Sequence, residues 1–375
     1  MIVETVCSRR AMRAFVRFPA RLYRNDACWA PPLWLEERTA YNARHNTILA
    51  HSDFELHLVR RNGRVAGRNL VYVDHAFNAH TKSRTGFFGA LECDEDPEAA
   101  DALLEKGESW LGERGMDKVR GPIHPVAENW GFLLEGYDRP PVFMAPYNPP
   151  YVHDFMLTRG YAKVMDLLAY EGDARTYSLP GRFSRFKSLL LARKPGLTVR
   201  RLDLKNLSKD AEHIWRISNN ALKDNWGYVP LNRDELEQMI QKLKLIVDTD
   251  AVWFVEDGGR PVGYALGFPD LNIILRKIKG RLLPFGFARL LIERRRLRDY
   301  RLWALAVEPE YHNFGLDVLL YLSLFEALGP RGIHLEANYI LEDNHKIRNA
   351  LEKLNLEHSK TYRIYEKSLA PASSG

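Results

Sequence analysis

The stretch from Leu302 to Leu354, LWALAVEPEYHNFGLDVLLYLSLFEALGPRGIHLEANYILEDNHKIRNALEKL, constrains the fold of this 375-residue chain more than any other. Leu302 to Val307 predicts a short apolar strand that ends at a proline-tyrosine turn. The polar loop His312-Asn313-Phe314-Gly315-Leu316-Asp317 then opens an amphipathic helix. Ile333 to Asn338 predicts a second strand, and a second helix begins near Asn344. A glycine-bearing loop at a helix start presents free backbone N–H groups and the positive end of the helix dipole. That arrangement favours a phosphate or pyrophosphate.

Composition narrows the class around that segment. Hydrophobic residues make up 46% of the chain and charged residues 27%, the balance of a globular protein long enough for two cored domains. The net charge of +6 suits an anionic ligand or surface and is too mild to imply nucleic acid. The cysteines Cys7, Cys28 and Cys93 have neither metal-ligand nor disulfide-framework spacing. The histidines lack the tight helical spacing of a zinc site, so no metal is expected. The opening MIVETVCSRRAMRAFVRF carries Glu4 and no long apolar run, so no signal peptide is expected. No window has the apolar length of a membrane span. The expected location is the cytoplasm. The small polar tail from Ala370 to Gly375 is expected to fray.

A weak internal repeat divides the chain. VRRNGRVAG, from Val59 to Gly67, and VEDGGRPVG, from Val255 to Gly263, are both hairpin candidates. Val59, Gly63, Arg64 and Gly67 match Val255, Gly259, Arg260 and Gly263 at one offset. Tyr170-Glu171 and Tyr365-Glu366 repeat at a similar separation, as do Asp26, Pro32, Leu33 and Asp224, Pro230, Leu231. Matches in the same order at nearly constant spacing imply a duplicated domain. Each half reads as strand, one or two helices, hairpin, strand, helix, strand, helix, strand. The expected domains are residues 1–172 and 198–369, joined by a linker at 173–197 that contains a basic helical piece, RFSRFKSLLLARK. In the second half, Thr198 to Leu202 predicts the first strand, and Ser208 to Leu222 and Arg233 to Val247 predict helices.

The segment opened on above resembles the acyl-CoA-binding core of the GNAT superfamily of N-acyltransferases. In that family a strand ends at a bulge, and a loop of the type (Arg/Gln)-x-x-Gly-x-(Gly/Ala) holds the CoA pyrophosphate. His312 stands at the Arg/Gln position, Gly315 at the first Gly, and Asp317 replaces the second small residue. Asn344 matches the Asn that opens the next helix, and Glu352 and Lys353 match its Glu-Lys pair. Leu351 stands where the family often has a tyrosine acid, and Asn355-Leu356 replaces Gly-Phe. The resemblance implies two tandem GNAT-like domains of mixed α/β class. It implies acyl-CoA as co-substrate, held by Val307, His312, Asn313, Phe314, Gly315, Leu316, Asp317 and Asn344. In the first half, the strand Phe87 to Cys93 leads into DEDPEAADALL. Asp94, Glu95, Asp96 and Glu98 there suit helix capping and repel a pyrophosphate, so the first domain is expected to be degenerate and to have lost donor binding.

Acylation of an amine requires an ammonium to lose a proton, a donor for the tetrahedral oxyanion, and a proton or dipole for the departing thiolate. Glu336, on the second strand, is the first choice for the base and Glu308, at the end of the first, the second. The N–H at a strand bulge near Val307 is the expected oxyanion donor. With Leu351 in the tyrosine position, Tyr362 on the last strand is the fallback acid. His312 and Asp317 also spell the His-x-x-x-x-Asp of glycerolipid O-acyltransferases, although the place in a CoA-type loop argues for phosphate contact.

Two other regions stand out. Arg120 to Pro150 holds seven prolines among Asn129, Trp130, Tyr137, Phe143, Tyr147 and Asn148. It reads either as a functional loop or as an aromatic-packed spacer. LNIILRKIKGRLLPFGFARLLIERRRLR, residues 271–298, is an insertion rich in Arg and Lys, with Glu293 its one acid. Leu271, Leu275, Ile278 and Leu282 fall on one helical stripe and Pro284-Phe285-Gly286 breaks the helix. This is the pattern of a membrane-surface element on anionic lipid, or of a helical hairpin packed on its own domain with a solvated basic face. The first reading favours peripheral attachment at the inner face of the membrane and a lipid amine, loosely as in GNAT-type bacterial ceramide synthases acting on a sphingoid base. The alternatives are a soluble GNAT acetylating a polar small molecule or peptide, and a non-catalytic acyl-CoA-binding scaffold.

Overall fold

The computed structural model describes residues 1–125, 129–176 and 181–369. The tail from Ala370 and part of the proline-rich loop therefore lie outside the described residues. The first half of the chain runs β1 (Ile2–Thr5), α1 (Arg9–Leu22), α2 (Trp34–Ala40), α3 (Thr47–Ala50), β2 (Ser52–Arg61), β3 (Arg64–Asp74), α4 (His75–Thr81), β4 (Thr85–Cys93), α5 (Pro97–Glu113), β5 (Lys118–Gly121), β6 (Phe132–Glu135), α6 (Val152–Thr158) and β7 (Ala162–Asp173). The second half runs α7 (Gly181–Arg193), β8 (Leu197–Arg201), α8 (Leu207–Ala221), α9 (Arg233–Ile246), β9 (Val252–Asp257), β10 (Arg260–Pro269), α10 (Asn272–Ile278), α11 (Gly286–Glu293), β11 (Asp299–Val307), α12 (Leu316–Leu328), β12 (His334–Leu341), α13 (His345–Lys353) and β13 (Glu357–Ser368).

The repeat is visible in the register. Val59 faces Gly67 across β2 and β3, and Val255 faces Gly263 across β9 and β10. Each hairpin shifts register just before that pair, leaving Ala66 and Val262 as the extra residues. Both turns use two consecutive left-handed residues, Asn62-Gly63 at φ 51° and 77° and Gly258-Gly259 at φ 57° and 82°. This is the geometry that a two-residue hairpin demands and that Asn and Gly adopt at little cost.

The compact units are not the contiguous halves expected from the sequence. Of the described residues, one comprises those within 1–167, 272–289 and 360–369; the other comprises those within 168–271 and 290–359. In the first, the sheet order is β1-β2-β3-β4-β5-β13, and β6 also pairs with β13. Tyr365 is opposite Gly121, and Tyr362 opposite Leu133. The last strand of the second half thus completes the sheet of the first unit. The core of that unit gathers Val71, Phe88, Leu103, Leu111, Phe132, Met156 and Tyr365 between the sheet and α5 and α6. The acidic start of α5 is occupied internally: Asp96 caps it by accepting from Ala99 N at 3.2 Å, Arg61 pairs with Asp96 and Glu98, and Arg21 pairs with Asp94.

The insertion also departs from its expected place. Ile274 and Leu275 of α10 are buried, as is Leu271 before it. Within the first unit Asn272 Nδ2 donates to Pro141 O, and Trp34 Nε1 donates to Lys279 O. Leu271 and Leu275 of the stripe expected to meet lipid are therefore packed on protein, whereas Ile278 is half-buried and Leu282, also half-buried, lies beyond α10. What it leaves exposed is the tip, with Leu283 at 82% and Phe285 at 79% exposure. Among the described residues no helix is long and apolar enough to cross a membrane.

In the second unit the sheet order is β12-β11-β10-β9-β8. Strand alternation sends Tyr300, Leu302, Val255, Ala265 and Ala337 to one face, against α12. Phe254, Tyr264, Leu266 and Ala306 go to the other, against α8. Helix α12 reads as amphipathic in sequence, yet Leu316, Leu319, Leu320, Tyr321, Leu322, Leu324 and Leu328 leave it apolar nearly all round and mostly buried. The cause is α7, which lies in the stretch expected to be a linker. Its Phe183, Leu190 and Leu191 pack on the same core, and Lys187 pairs with Glu326 of α12.

Candidate active site

Two strands of the second unit part company at one point. β11 and β12 run parallel and in register from Asp299–His334 to Leu302–Ala337, where their pairing ends. β11 nevertheless continues to Val307 and β12 to Leu341. At the same place β11 shifts against β10: Leu302 faces Gly267 and Ala304 faces Leu266, leaving Trp303 as the extra residue. The bulge expected near Val307 thus lies at Trp303. Val307 itself is in regular register with Gly263 and buried. Gly267 makes room for the bulge, since a Cβ there would stand 3.0 Å from Arg301 O and 3.2 Å from Ala251 O. A bulge takes a residue out of the ladder and bends its strand. Here it opens a wedge between β11 and β12.

Glu336 sits at the root of that wedge, 1% exposed and opposite Arg301, which is fully buried. Neighbours in register share a face, so both side chains lie on the α8 side, away from Leu302 and Ala337. Asn338, two residues on, shares that face; its Nδ2 donates to Glu336 Oε1 at 2.6 Å. Arg301 Cζ stands 5.3 Å from the Tyr339 ring centre. Glu308 is equally buried but differently engaged. Arg216 of α8 pairs with it, Asn220 Nδ2 donates to its Oε2 at 3.2 Å, and Arg260 lies 3.9 Å away. These partners tie the end of β11 to α8, which is a structural use of that carboxylate.

At the mouth of the wedge the chain turns into α12. His312 is exposed, and its Nε2 lies 3.0 Å from Val307 O. Among the described residues no hydrogen bond or ion pair joins it to Asp317. Asn313 and Gly315 are left-handed, at φ 67° and 76°, and Gly315 caps the helix without a side-chain hydrogen bond. Asp317 stands in the first turn, where its charge favours the helix dipole and competes with a phosphate for the same amides. Leu316 is a core residue, 1% exposed. Phe314 is exposed, with Lys194 Nζ 3.6 Å from its ring centre. Asn344 caps α13 by accepting from Ile347 N at 3.2 Å, so its side chain is committed to the helix. Leu351, at the tyrosine position, is fully buried core.

Tyr362, expected beside the site, belongs to the first unit, where it is fully buried opposite Leu133. The second unit itself therefore does not supply it. Arg301, Trp303, Asn338 and Phe186 are the site neighbours that the sequence reading missed. A lone Arg inside the apolar run DYRLWALAV and a Gly inside the strand YALGFP were the available signals.

No protein-family model matches the chain. It is 30% identical over 367 residues to a protein named bacterial ceramide synthase from Caulobacter vibrioides, covering 96% of this chain and 95% of that one. It is also 30% identical over 378 residues to protein YghO of Escherichia coli, with coverages of 98% and 95%. Among solved structures, a tandem GNAT protein from the clavulanic acid biosynthesis pathway matches with a TM-score of 0.59 at 12% identity, covering 99% of this chain and all of that one. A GCN5-related N-acetyltransferase from Sphaerobacter thermophilus matches with a TM-score of 0.55 at 13% identity, covering 99% and 96%. The solved structures show the fold, and the Caulobacter relative shows the family by sequence. The chain belongs to the family of the bacterial ceramide synthase, and its fold is that of the GNAT N-acetyltransferases.

Proposed function

We propose that this acyltransferase moves an acyl group from acyl-CoA to the nitrogen of a long-chain lipid amine such as a sphingoid base. The observation that carries the reading is the wedge between β11 and β12, with a buried carboxylate at its root and a glycine-capped helix start at its mouth. The CoA pyrophosphate would lie on the N–H groups of residues 313–317, where the helix dipole favours it. The thioester would then reach into the wedge beside the Trp303 bulge, whose off-ladder backbone is the oxyanion donor in this reading. Glu336 takes the proton from the acceptor ammonium. The free amine attacks the thioester carbon, and the tetrahedral intermediate collapses to an amide and the CoA thiolate, which takes up a proton. The first unit, with its acid-filled helix start, takes no donor.

A lipid acceptor is supported by the name of the Caulobacter relative and by the insertion. Its tip exposes Leu283, Phe285 and Phe287 beside Lys277, Lys279, Arg281 and Arg289, a combination suited to the headgroup layer of an anionic membrane. The test is CoA thiol release by the purified protein with a panel of acyl-CoAs and amines, with amide formation followed by mass. Transfer to long-chain amines supports the proposal. Transfer of acetyl groups to polar amines alone would replace it with the soluble acetyltransferase reading, and no release with any amine would leave a scaffold.

A further inference from the structure

Helix α7 lies ahead of the strand β8 and outside the segment that carries the family resemblance, yet it meets the loop that opens α12 at two adjacent residues, within one unit. At Gly315 the neighbour is Phe186, whose Cζ would stand 2.5 Å from a Cβ. At Phe314 it is Lys194, just past the end of α7, with Nζ 3.6 Å from the ring centre. Phe186 and Phe314 remain 37% and 44% exposed, so both rings keep an open face. Helix α7 carries Arg182, Arg185, Lys187 and Arg193 and no acid, and Arg182, Phe186 and Arg193 fall on one helical stripe. Lys187 is paired with Glu326 of α12. Half-buried Lys194 has no carboxylate partner among the described residues, and neither have Arg182, Arg185 and Arg193. A cation held in place without a counter-charge, beside amides suited to a pyrophosphate, points to a further phosphate.

We propose that α7 is the nucleotide-recognition element of the donor site, with Lys194 on the 3′-phosphate of CoA and the Phe186 ring on its adenine. The enzyme thereby selects a CoA thioester over the same thioester on a pantetheine arm alone. The inference rests on the reading of residues 313–317 as the pyrophosphate site. In CoA the 3′-phosphate is one ribose away from the diphosphate. Lys194 Nζ is one phenylalanine side chain and one contact distance away from the Phe314 amide, a similar reach. The ammonium donates to the phosphate oxygens, a charge-assisted contact about twice as strong as a neutral one. Adenine needs only its flat face for an aromatic ring, and Phe186 offers one beside the same loop.

The experiment is calorimetric titration of the full-length protein with CoA and with 3′-dephospho-CoA, which differ by that phosphate alone. The wild type is expected to bind CoA about tenfold more tightly, the effect of one charge-assisted contact. Added salt should narrow this ratio. Lys194→Met keeps an unbranched stem against the Phe314 ring and deletes the charge. It should bring the affinity for CoA down to that for dephospho-CoA and leave the latter as it was. Phe186→Ala should weaken both ligands alike, because they share the adenine. Each preference is a ratio within one preparation, so partial unfolding cancels. Equal affinities in the wild type, or an unchanged ratio in Lys194→Met, would overturn the assignment and leave α7 a solvated basic helix. Binding of neither nucleotide would instead remove the pyrophosphate reading of the loop, and this inference with it.

Discussion

The ring of Phe186 lies against Gly315 so closely that a Cβ built on the glycine would stand 2.5 Å from Phe186 Cζ. The contact sets a helix from the middle of the chain on the loop that opens α12. Gly315 is therefore constrained twice, by its left-handed φ of 76° and by the ring above it. Gly315→Val is expected to abolish acyl-CoA binding, measured by calorimetry, while the protein stays folded by circular dichroism. Gly315→Ala in a Phe186→Ala background relieves the clash and keeps the left-handed strain of roughly 1 kcal/mol, so it should bind weakly. Normal CoA affinity in Gly315→Val would remove the loop from the donor site.

Glu336, on β12, and Glu308, just past the end of β11, are both buried carboxylates, and they should respond differently to the same substitution. Glu336→Gln keeps an acceptor for Asn338 and removes the base. Turnover should fall about 100-fold or more with CoA affinity nearly intact. Glu308→Gln breaks the pair with Arg216 at the base of α8. It should lower stability by about 2 kcal/mol, read from denaturant midpoints, with a smaller effect on the chemical step. If Glu336→Gln turns over normally and Glu308→Gln is inactive but stable, the two roles are reversed.

How far the sequence could be read depends on what each feature is made of. The hairpins at Val59–Gly67 and Val255–Gly263 were legible because Asn-Gly and Gly-Gly turns fix their own register locally. The α12 loop was legible because Asn313 and Gly315, residue types that tolerate positive φ, stand in it. Trp303 was not, since a bulge is a relation between two strands and its sign, Gly267, lies on the other one. The exchange of β13 into the first unit leaves no local mark, because a strand such as Lys360 to Tyr365 is suited to pairing on either side. Of the stripe Leu271, Leu275, Ile278 and Leu282, the first two are buried and the last lies beyond α10, since periodicity says neither where a helix stops nor what covers its face.

Thiol reactivity should separate the cysteines. Burial, with Asp94 and Asp96 adding to it, pushes the Cys93 thiol up to about 12, so almost none is thiolate near neutral pH. Cys7 is exposed. Alkylation followed by peptide mass mapping should modify Cys7 within minutes and leave Cys93 untouched until denaturant is added. Labelling of Cys93 in the native protein at a rate matching Cys7 would contradict its buried place behind α5.

His124 gives the first unit an acid-side dependence. Burial holds its imidazole down at about 4, close to Tyr41, Glu37 and Arg68. The unfolded chain, with a pKa near 6.5, binds the proton more readily. The stability contributed by neutral His124 is therefore present above about pH 6.5 and lost as pH falls from there toward 4. The difference is on the order of 3 kcal/mol at its limit. Urea midpoints measured across that window should decline, and His124→Gln should flatten the decline. An identical slope in both proteins would assign it to other groups.

The insertion's tip is where a meeting of the acceptor at a membrane can be tested. Leu283 and Phe285 are the most exposed large apolar side chains of the tip, and burying them in the headgroup layer is the gain that would hold the protein there. The basic residues around them add attraction that salt screens, whereas the apolar insertion is insensitive to salt. Wild-type protein should therefore sediment with anionic liposomes at low salt and lose part of that binding at high salt. Leu283→Ser with Phe285→Ser should abolish the salt-resistant part, because neither side chain contributes to the packing of α10. Arg294, Arg295 and Arg296 changed to Glu should abolish the salt-sensitive part and reduce turnover on a lipid amine, with little change on a short soluble amine. A wild-type protein that ignores anionic liposomes even at low salt would leave the tip without this role. The lipid acceptor would then rest on sequence kinship alone, and an acetyl-transferring enzyme of polar amines would become the better reading.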